Sequence, residues 1–142
     1  MSMAEQTPTP APPEPVLHED RLDYLPLAGS VSLARRRTAR LVGEWGRPAL
    51  AGDAALITSE LMTNALLHGS LRDRLIRVRI TLTAGALRIE VTDPRGERLP
   101  EPRFAALSDQ FGRGLLLVAA LADRWGCEPR AVGKTVYAEL TW

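Results

Sequence analysis

A chain of 142 residues and 15.5 kDa fits one domain of ordinary size, long enough to bury a core without disulfides or metal staples. Lys+Arg 18 against Asp+Glu 17 leaves a formal charge of +1, so no global field favours nucleic acid or an anionic membrane, and any basic site is local. Cys127 is the single cysteine, which excludes an intramolecular disulfide and a thiolate metal cluster within one chain.

Residues 1–15 hold five of the eleven prolines, a composition that resists helix and sheet, so residues 1–20 read as a disordered tail and 21–142 as the domain. The longest strongly apolar run, Leu115 to Ala122, is far shorter than the roughly 20 residues of a membrane span. The N-terminus also lacks the apolar core of a signal peptide, and a soluble, cytoplasmic protein is expected. After an apolar stretch from Tyr24 to Leu27, Ser30 or Ser32 is placed to cap a helix through about Trp45, with Leu33, Leu41, Val42 and Trp45 as its apolar positions. Gly46-Arg47-Pro48 breaks it. The neighbouring arginines Arg35, Arg36, Arg37 and Arg40 spread round this helix and read as a solvated face.

A second helix is expected over about 49–68, ending at Gly69, the residue type that tolerates the left-handed conformation past a helix terminus. Ile76, Val78, Ile80 and Leu82 then alternate with Arg77, Arg79 and Thr81, and Leu87, Ile89 and Val91 alternate with Arg88 and Glu90. These are the two strands of a half-buried hairpin turned by Thr83-Ala84-Gly85-Ala86. From Asp93 to Gly112 the pattern dissolves into a polar, Pro-punctuated connection longer than usual loops, a candidate lid. Gly112-Arg113-Gly114 opens an apolar helix, Leu115 to about Asp123, and short strands follow at Trp125–Cys127 and Thr135–Thr141. Cys127 reads as a buried small apolar residue.

Residues 59–69 read S-E-L-M-T-N-A-L-L-H-G, with Glu60, Asn64 and His68 spaced by four in an otherwise apolar segment. That spacing sets three polar side chains along one helical stripe. A helix meant only for packing gains nothing from an acid and an amide among Leu61, Met62, Ala65 and Leu66, because buried polar groups cost free energy unless paired. The stripe therefore points to a ligand, with His68 beside Gly69 better read as a helix-end residue than as a ligand.

Taken in order, E-L-M-T-N-A at 60–65, V-T-D-P at 91–94, G-R-G-L at 112–115 and G-K-T-V at 133–136 resemble the ATP-binding boxes of the GHKL superfamily. By length and wording the chain is most similar to its small single-domain branch, the anti-sigma-factor serine kinases of the RsbW and SpoIIAB type, over about residues 22–142. The resemblance implies a Bergerat fold: an α/β two-layer sandwich of the α+β class, with a mixed, mainly antiparallel sheet, helices on one face and nucleotide between the layers. No G-x-x-x-x-G-K-[ST] occurs, so a P-loop is excluded.

Carried over by position, the resemblance gives Asn64 the role of Mg²⁺ ligand through its amide oxygen and Glu60 that of general base for a seryl hydroxyl or water. Asp93 matches the aspartate that accepts from the exocyclic amine of adenine, and Thr135 looks like the threonine that supports that contact. Gly112 and Gly114 would let backbone approach the phosphates, Arg113 would add a phosphate contact, and Leu115 opens the helix that follows.

The departure from the family pattern is in its first glycine box, where D-x-G-x-G meets D-P-R-G-E, with Arg95 and Glu97 at the glycine positions and Gly96 out of register. Two readings stay open. The leading one is a Mg-ATP-binding regulator of the protein-serine kinase type, which by resemblance sequesters a sigma factor, phosphorylates an antagonist protein and forms a homodimer. The alternative is a non-catalytic interaction module, with or without ATP. A weaker third reading, nucleic-acid binding through Arg35 to Arg40, predicts steep salt dependence; direct nucleic-acid or membrane partners are not expected.

Overall fold

The computed structural model describes residues 14–68, 74–93, 115–131 and 133–142. Strand β1 (His18–Tyr24) is followed by helix α1 (Ala28–Glu44), a short 3₁₀ turn (Pro48–Leu50) and helix α2 (Ala51–His68). The hairpin β2 (Ile76–Leu82) and β3 (Ala86–Asp93) comes next, then helical residues 115–121 (α3), and finally β4 (Arg124–Pro129) and β5 (Lys134–Thr141). The five strands form one sheet in the order β1-β2-β3-β5-β4, and every described pairing is antiparallel.

The expected sheet is mixed but mainly antiparallel; among the described residues every pairing is antiparallel, and the connections explain it. Two helices separate β1 from β2, so the chain re-enters the sheet reversed. β3 and β4 run in the same direction, but β5 lies between them. The outcome is the expected two-layer α+β arrangement: helices cover one face, with Ile57, Leu61, Met62, Ile80, Leu87 and Ile89 among its fully buried side chains.

β1 begins inside the stretch that reads as tail. Its inward residues His18, Asp20, Leu22 and Tyr24 register with Leu82, Ile80, Val78 and Ile76, yet two of them are polar, so the strand carries no clean alternation. The polar pair is tolerated because this is an edge strand beside α1. Arg37 on α1 donates to both carboxylate oxygens of Asp20 at 2.8 and 2.7 Å, and His18 stacks on Trp45 with ring centroids 5.3 Å apart. Strand β1 therefore begins at His18, three residues ahead of the boundary expected at residue 21.

α1 starts at Ala28, with Leu27 in extended backbone as its N-cap and no side-chain cap; Ser30 lies inside the first turn and is buried. Its buried stripe is Ser30, Ala34, Thr38, Leu41 and Val42, whereas Leu33 is 54% exposed. Packing rather than capping preference sets this helix. Small residues let α1 approach α2 closely, and the one buried hydroxyl pair between them is satisfied: Thr38 Oγ1 donates to the Ala34 carbonyl at 2.8 Å and lies 3.0 Å from Thr58 Oγ1. Of the arginine run, Arg37 is committed to Asp20 and Arg40 to Glu44.

The opposite sheet face is a lattice of charges. Arg77 pairs with Asp23 at 2.8 Å, Arg79 with Glu19 at 2.9 Å, and Arg88 reaches Glu90, Glu139 and Glu128 while lying 4.0 Å over the Tyr137 ring. Its arginines alternate with the apolar residues of β2 and β3 because strand side chains alternate between faces.

Replacing Ile57, fully buried, by Ala is expected to lower unfolding stability by about 2–5 kcal/mol. Leu67→Ala, at a position 68% exposed, should stay within about 0.5 kcal/mol; urea titration of both checks the packing. The hydrogen bond from Arg77 holds the Asp23 carboxyl below its usual 3.8. A depressed carboxylate stabilises the fold above its unfolded pKa and loses that contribution as pH falls through the folded one. Asp23→Asn should therefore cost less than about 1 kcal/mol at neutral pH, because the pair is exposed, and the difference from the native chain should shrink as pH falls below 3.8 in acid unfolding.

Candidate functional site

One end of the molecule collects the polar groups singled out by the sequence. β1 runs toward the Ile76 end of β2, α1 returns beside it with Trp45 against His18, and α2 runs back again. The C-terminal half of α2, with Glu60 and Asn64, therefore lies over the same end of the sheet as Asp93, which closes β3 next to Ile76 of β2. The chain leaves β3 at this end and re-enters β4 at the opposite one, with α3 between. Leu115 is half-buried and packs against the core. The proposed Gly112, Arg113 and Gly114 contacts, the altered glycine box at Arg95 and Glu97, and the candidate lid lie outside the described residues, as does Gly69.

Glu60 and Asn64 are one helical turn apart and share a face. Glu60 is partly exposed and Asn64 is buried. The side chain of Asn64 is 5% exposed, and its Nδ2 is the one buried side-chain polar atom, among those described, that lacks a hydrogen-bond partner. Its neighbours do not share this state: Ser59 Oγ donates to the Leu56 carbonyl at 2.9 Å and Thr63 Oγ1 to the Ser59 carbonyl at 2.7 Å. A buried amide without a partner costs about 1–3 kcal/mol. Such a group fits a phosphate oxygen, and rotation about its last bond, which is broad and roughly two-fold, presents the amide oxygen to a hard cation instead. ATP with Mg²⁺ therefore suits the donor set found here.

Asp93 is 2% exposed. It shares the helix-bearing face with Leu87, Ile89 and Val91, every second residue of β3, so its carboxylate belongs to the helix-bearing side of the sheet.

Thr135 does not join it. The β3–β5 register sets Thr135 opposite Thr92 and Lys134 opposite Asp93, and residues directly opposite in an antiparallel pair share a face. Thr135 is consequently on the far side of the sheet, where its Oγ1 lies 2.7 Å from Thr92 Oγ1 and accepts from Arg130 Nε at 3.0 Å. The residue on the Asp93 side is Lys134. A signal for this lies in the sequence: Val136, Ala138 and Leu140 alternate in phase with 134, not with 135.

Cys127 is another correction, exposed rather than buried, because β4 is an edge strand. It registers with Val136 and so sits on the cleft face. Partial desolvation of the thiol against the sheet raises its pKa; Lys134 opposes that rise, while Asp93 and Glu128 add to it. Cys127, Lys134 and Asp93 thus border one patch.

If the Asn64 amide serves a ligand rather than the fold, Asn64→Leu should leave the ligand-free protein as stable as the native chain or more so, while abolishing ligand binding. A thermal melt without nucleotide checks the first half. A loss above about 1 kcal/mol would mean that the amide supports the fold directly.

Comparison with known proteins adds to this geometry. The protein is 39% identical over 85 residues to the uncharacterized protein SCO4941 of Streptomyces coelicolor, a match covering 55% of this chain and 79% of that one. The family pattern of the histidine kinase-like ATPase domain matches residues 26–140, a span that takes in both helices of the αα-hairpin, Asp93 and the β4–β5 hairpin. On that match, the chain belongs to the histidine kinase-like ATPase domain family.

Proposed function

We propose that the protein is a Mg-ATP-binding regulator of the anti-sigma-factor serine kinase type, working by partner switching on a sigma factor and its antagonist in the cytoplasm. Membership of an ATPase domain family carries ATP binding. The observation that takes the reading further is the buried Asn64 amide with an unmatched polar atom, one turn from Glu60 and over the same sheet end as Asp93. Among the described residues no helix is long and apolar enough to cross a membrane.

Bound Mg-ATP would supply the transferable phosphoryl group together with the charge that neutralises it. Asp93 would orient the base as an acceptor, and its burial keeps water from competing for the carboxylate. Asn64 would hold the metal or a phosphate oxygen. Glu60, still open to solvent on one side, would take the proton of an incoming seryl hydroxyl; positioned general bases of this kind contribute about 10²–10⁴-fold in rate. A second reading, a protein-interaction module without transfer activity, is favoured by one feature of the chain: Arg95 and Glu97 replace the glycines of the first box. Nucleic-acid binding through the arginine run is weakened by the commitment of Arg37 and Arg40 to ion pairs.

Calorimetric titration of ATP with Mg²⁺ into the native chain, Asn64→Ala and Glu60→Ala, alongside a transfer assay with a serine-bearing antagonist, tests this. Binding should disappear in Asn64→Ala. Glu60→Ala should hold ATP within a few-fold and lose transfer by about 10²-fold or more; undiminished transfer removes Glu60 as the base. A folded native chain that takes no ATP supports the interaction module instead.

A further inference from the structure

We propose that Lys134 is a base-recognising residue of the nucleotide cleft, donating to the ring N1 of adenine while Asp93 accepts from the exocyclic amine. This rests on the ATP reading given above and adds to it a residue that the family boxes do not supply.

The placement follows from the backbone. Lys134 stands directly opposite Asp93 in the β3–β5 ladder, so the two Cβ atoms share the cleft face at about 4.5–5.5 Å. The register is set at its start by Gly133, whose φ of +94 is a left-handed conformation that side-chain-bearing residues rarely adopt. Thr135, the other polar residue of the G-K-T-V box, is turned away and occupied by Thr92 and Arg130. Lys134 is half-buried, and the Cys127 thiol senses its charge together with that of Asp93, which places both charges around one patch. Lys134 is also the only lysine in the chain; every other fixed cation is an arginine.

The chemistry of adenine then assigns the role. Its Watson–Crick edge carries a donor, the exocyclic amine, beside an acceptor, N1. A carboxylate is acceptor-only and satisfies the amine alone. Covering the edge would strand N1, which is costly in a water-poor cleft, unless a donor stands beside the carboxylate. The ammonium of lysine has three donors and no acceptor, on a stem flexible enough to reach past Asp93. Arginine at this place would offer a wide planar fork instead of a compact charge.

The test is calorimetric titration, with Mg²⁺, of ATP, 1-deaza-ATP (N1 replaced by C–H) and GTP into the native chain and Lys134→Met. The native chain should prefer ATP to 1-deaza-ATP by about tenfold or more, the scale of a charged hydrogen bond. Lys134→Met should bind the two alike, at the level of 1-deaza-ATP on the native chain. A merely structural lysine would weaken both ligands equally and leave the preference in place, which would overturn the proposal. GTP binding tighter than ATP would overturn it as well, since an acid and an ammonium side by side also complement the guanine edge.

A second measurement needs no variant. Amine-reactive labelling of the native chain, read by mass spectrometry at Lys134, should slow several-fold under saturating ATP, and an unchanged rate would refute the contact. Absence of ATP binding by the folded native chain sinks the ATP reading and this role together. ATP binding without N1 discrimination sinks only the role of Lys134.

Discussion

The antiparallel pairing of β3 with β5 is the constraint on which the candidate site depends. These two strands form the centre of the sheet with β2, and their ladder runs from Ala86 opposite Thr141 to Asp93 opposite Lys134. Because side chains alternate strictly between faces, one register decides both the core and the site. Val91 and Val136 face the helices, so Asp93 and Lys134, the pair two steps on, must face them too. A slip by one residue would put Thr92 and Thr135 in the cleft and turn the core residues of these strands toward the charged face. The apolar penalty against that slip is what holds a buried carboxylate in place.

Helix α2 is the second determinant. It packs against α1, β3, β5 and β2 and is buried around much of its circumference, which makes a polar residue on it expensive. Serine and threonine along the helix answer that expense locally by donating back to carbonyls one turn away. Asparagine at position 64 has no such outlet for its amide. A polar atom left unmatched in a helix this buried is the feature on which the proposed ligand role of Asn64 rests.

The two faces of the sheet divide the work by polarity. The outer face joins its charges in a connected lattice centred on Arg88, which keeps the open face solvated and internally neutral rather than strongly basic. The arginines of β2 and β3 are thereby accounted for without a polyanion partner. At the far end of the sheet Arg47 lies 4.1 Å over the Trp142 ring, and Trp142 Nε1 donates to the Ala84 carbonyl at 2.8 Å, so the end away from the cleft is closed by an aromatic clasp.

Much of this was legible in the sequence, for local reasons. The β2–β3 hairpin follows from period-two alternation, α2 from a largely apolar segment followed by Gly69, and the order of the four boxes carried the family. Asn64 and Glu60 stood out because polar residues in an apolar helix need a reason, and Asp93 came only from its match to the aspartate of the family boxes. Other features waited on tertiary structure. β1 was hidden because its inward face bears His18 and Asp20, which only Trp45 and Arg37 from α1 make tolerable. On α1, Leu41 and Val42 are buried as expected, but Leu33 is exposed and Ser30, Ala34 and Thr38 are buried instead, because small residues at a close helix crossing carry little hydrophobic signal. Between Lys134 and Thr135 the box wording pointed to the threonine; the partner strand puts the lysine on the Asp93 face, because a side chain's face is a property of the ladder and not of the residue.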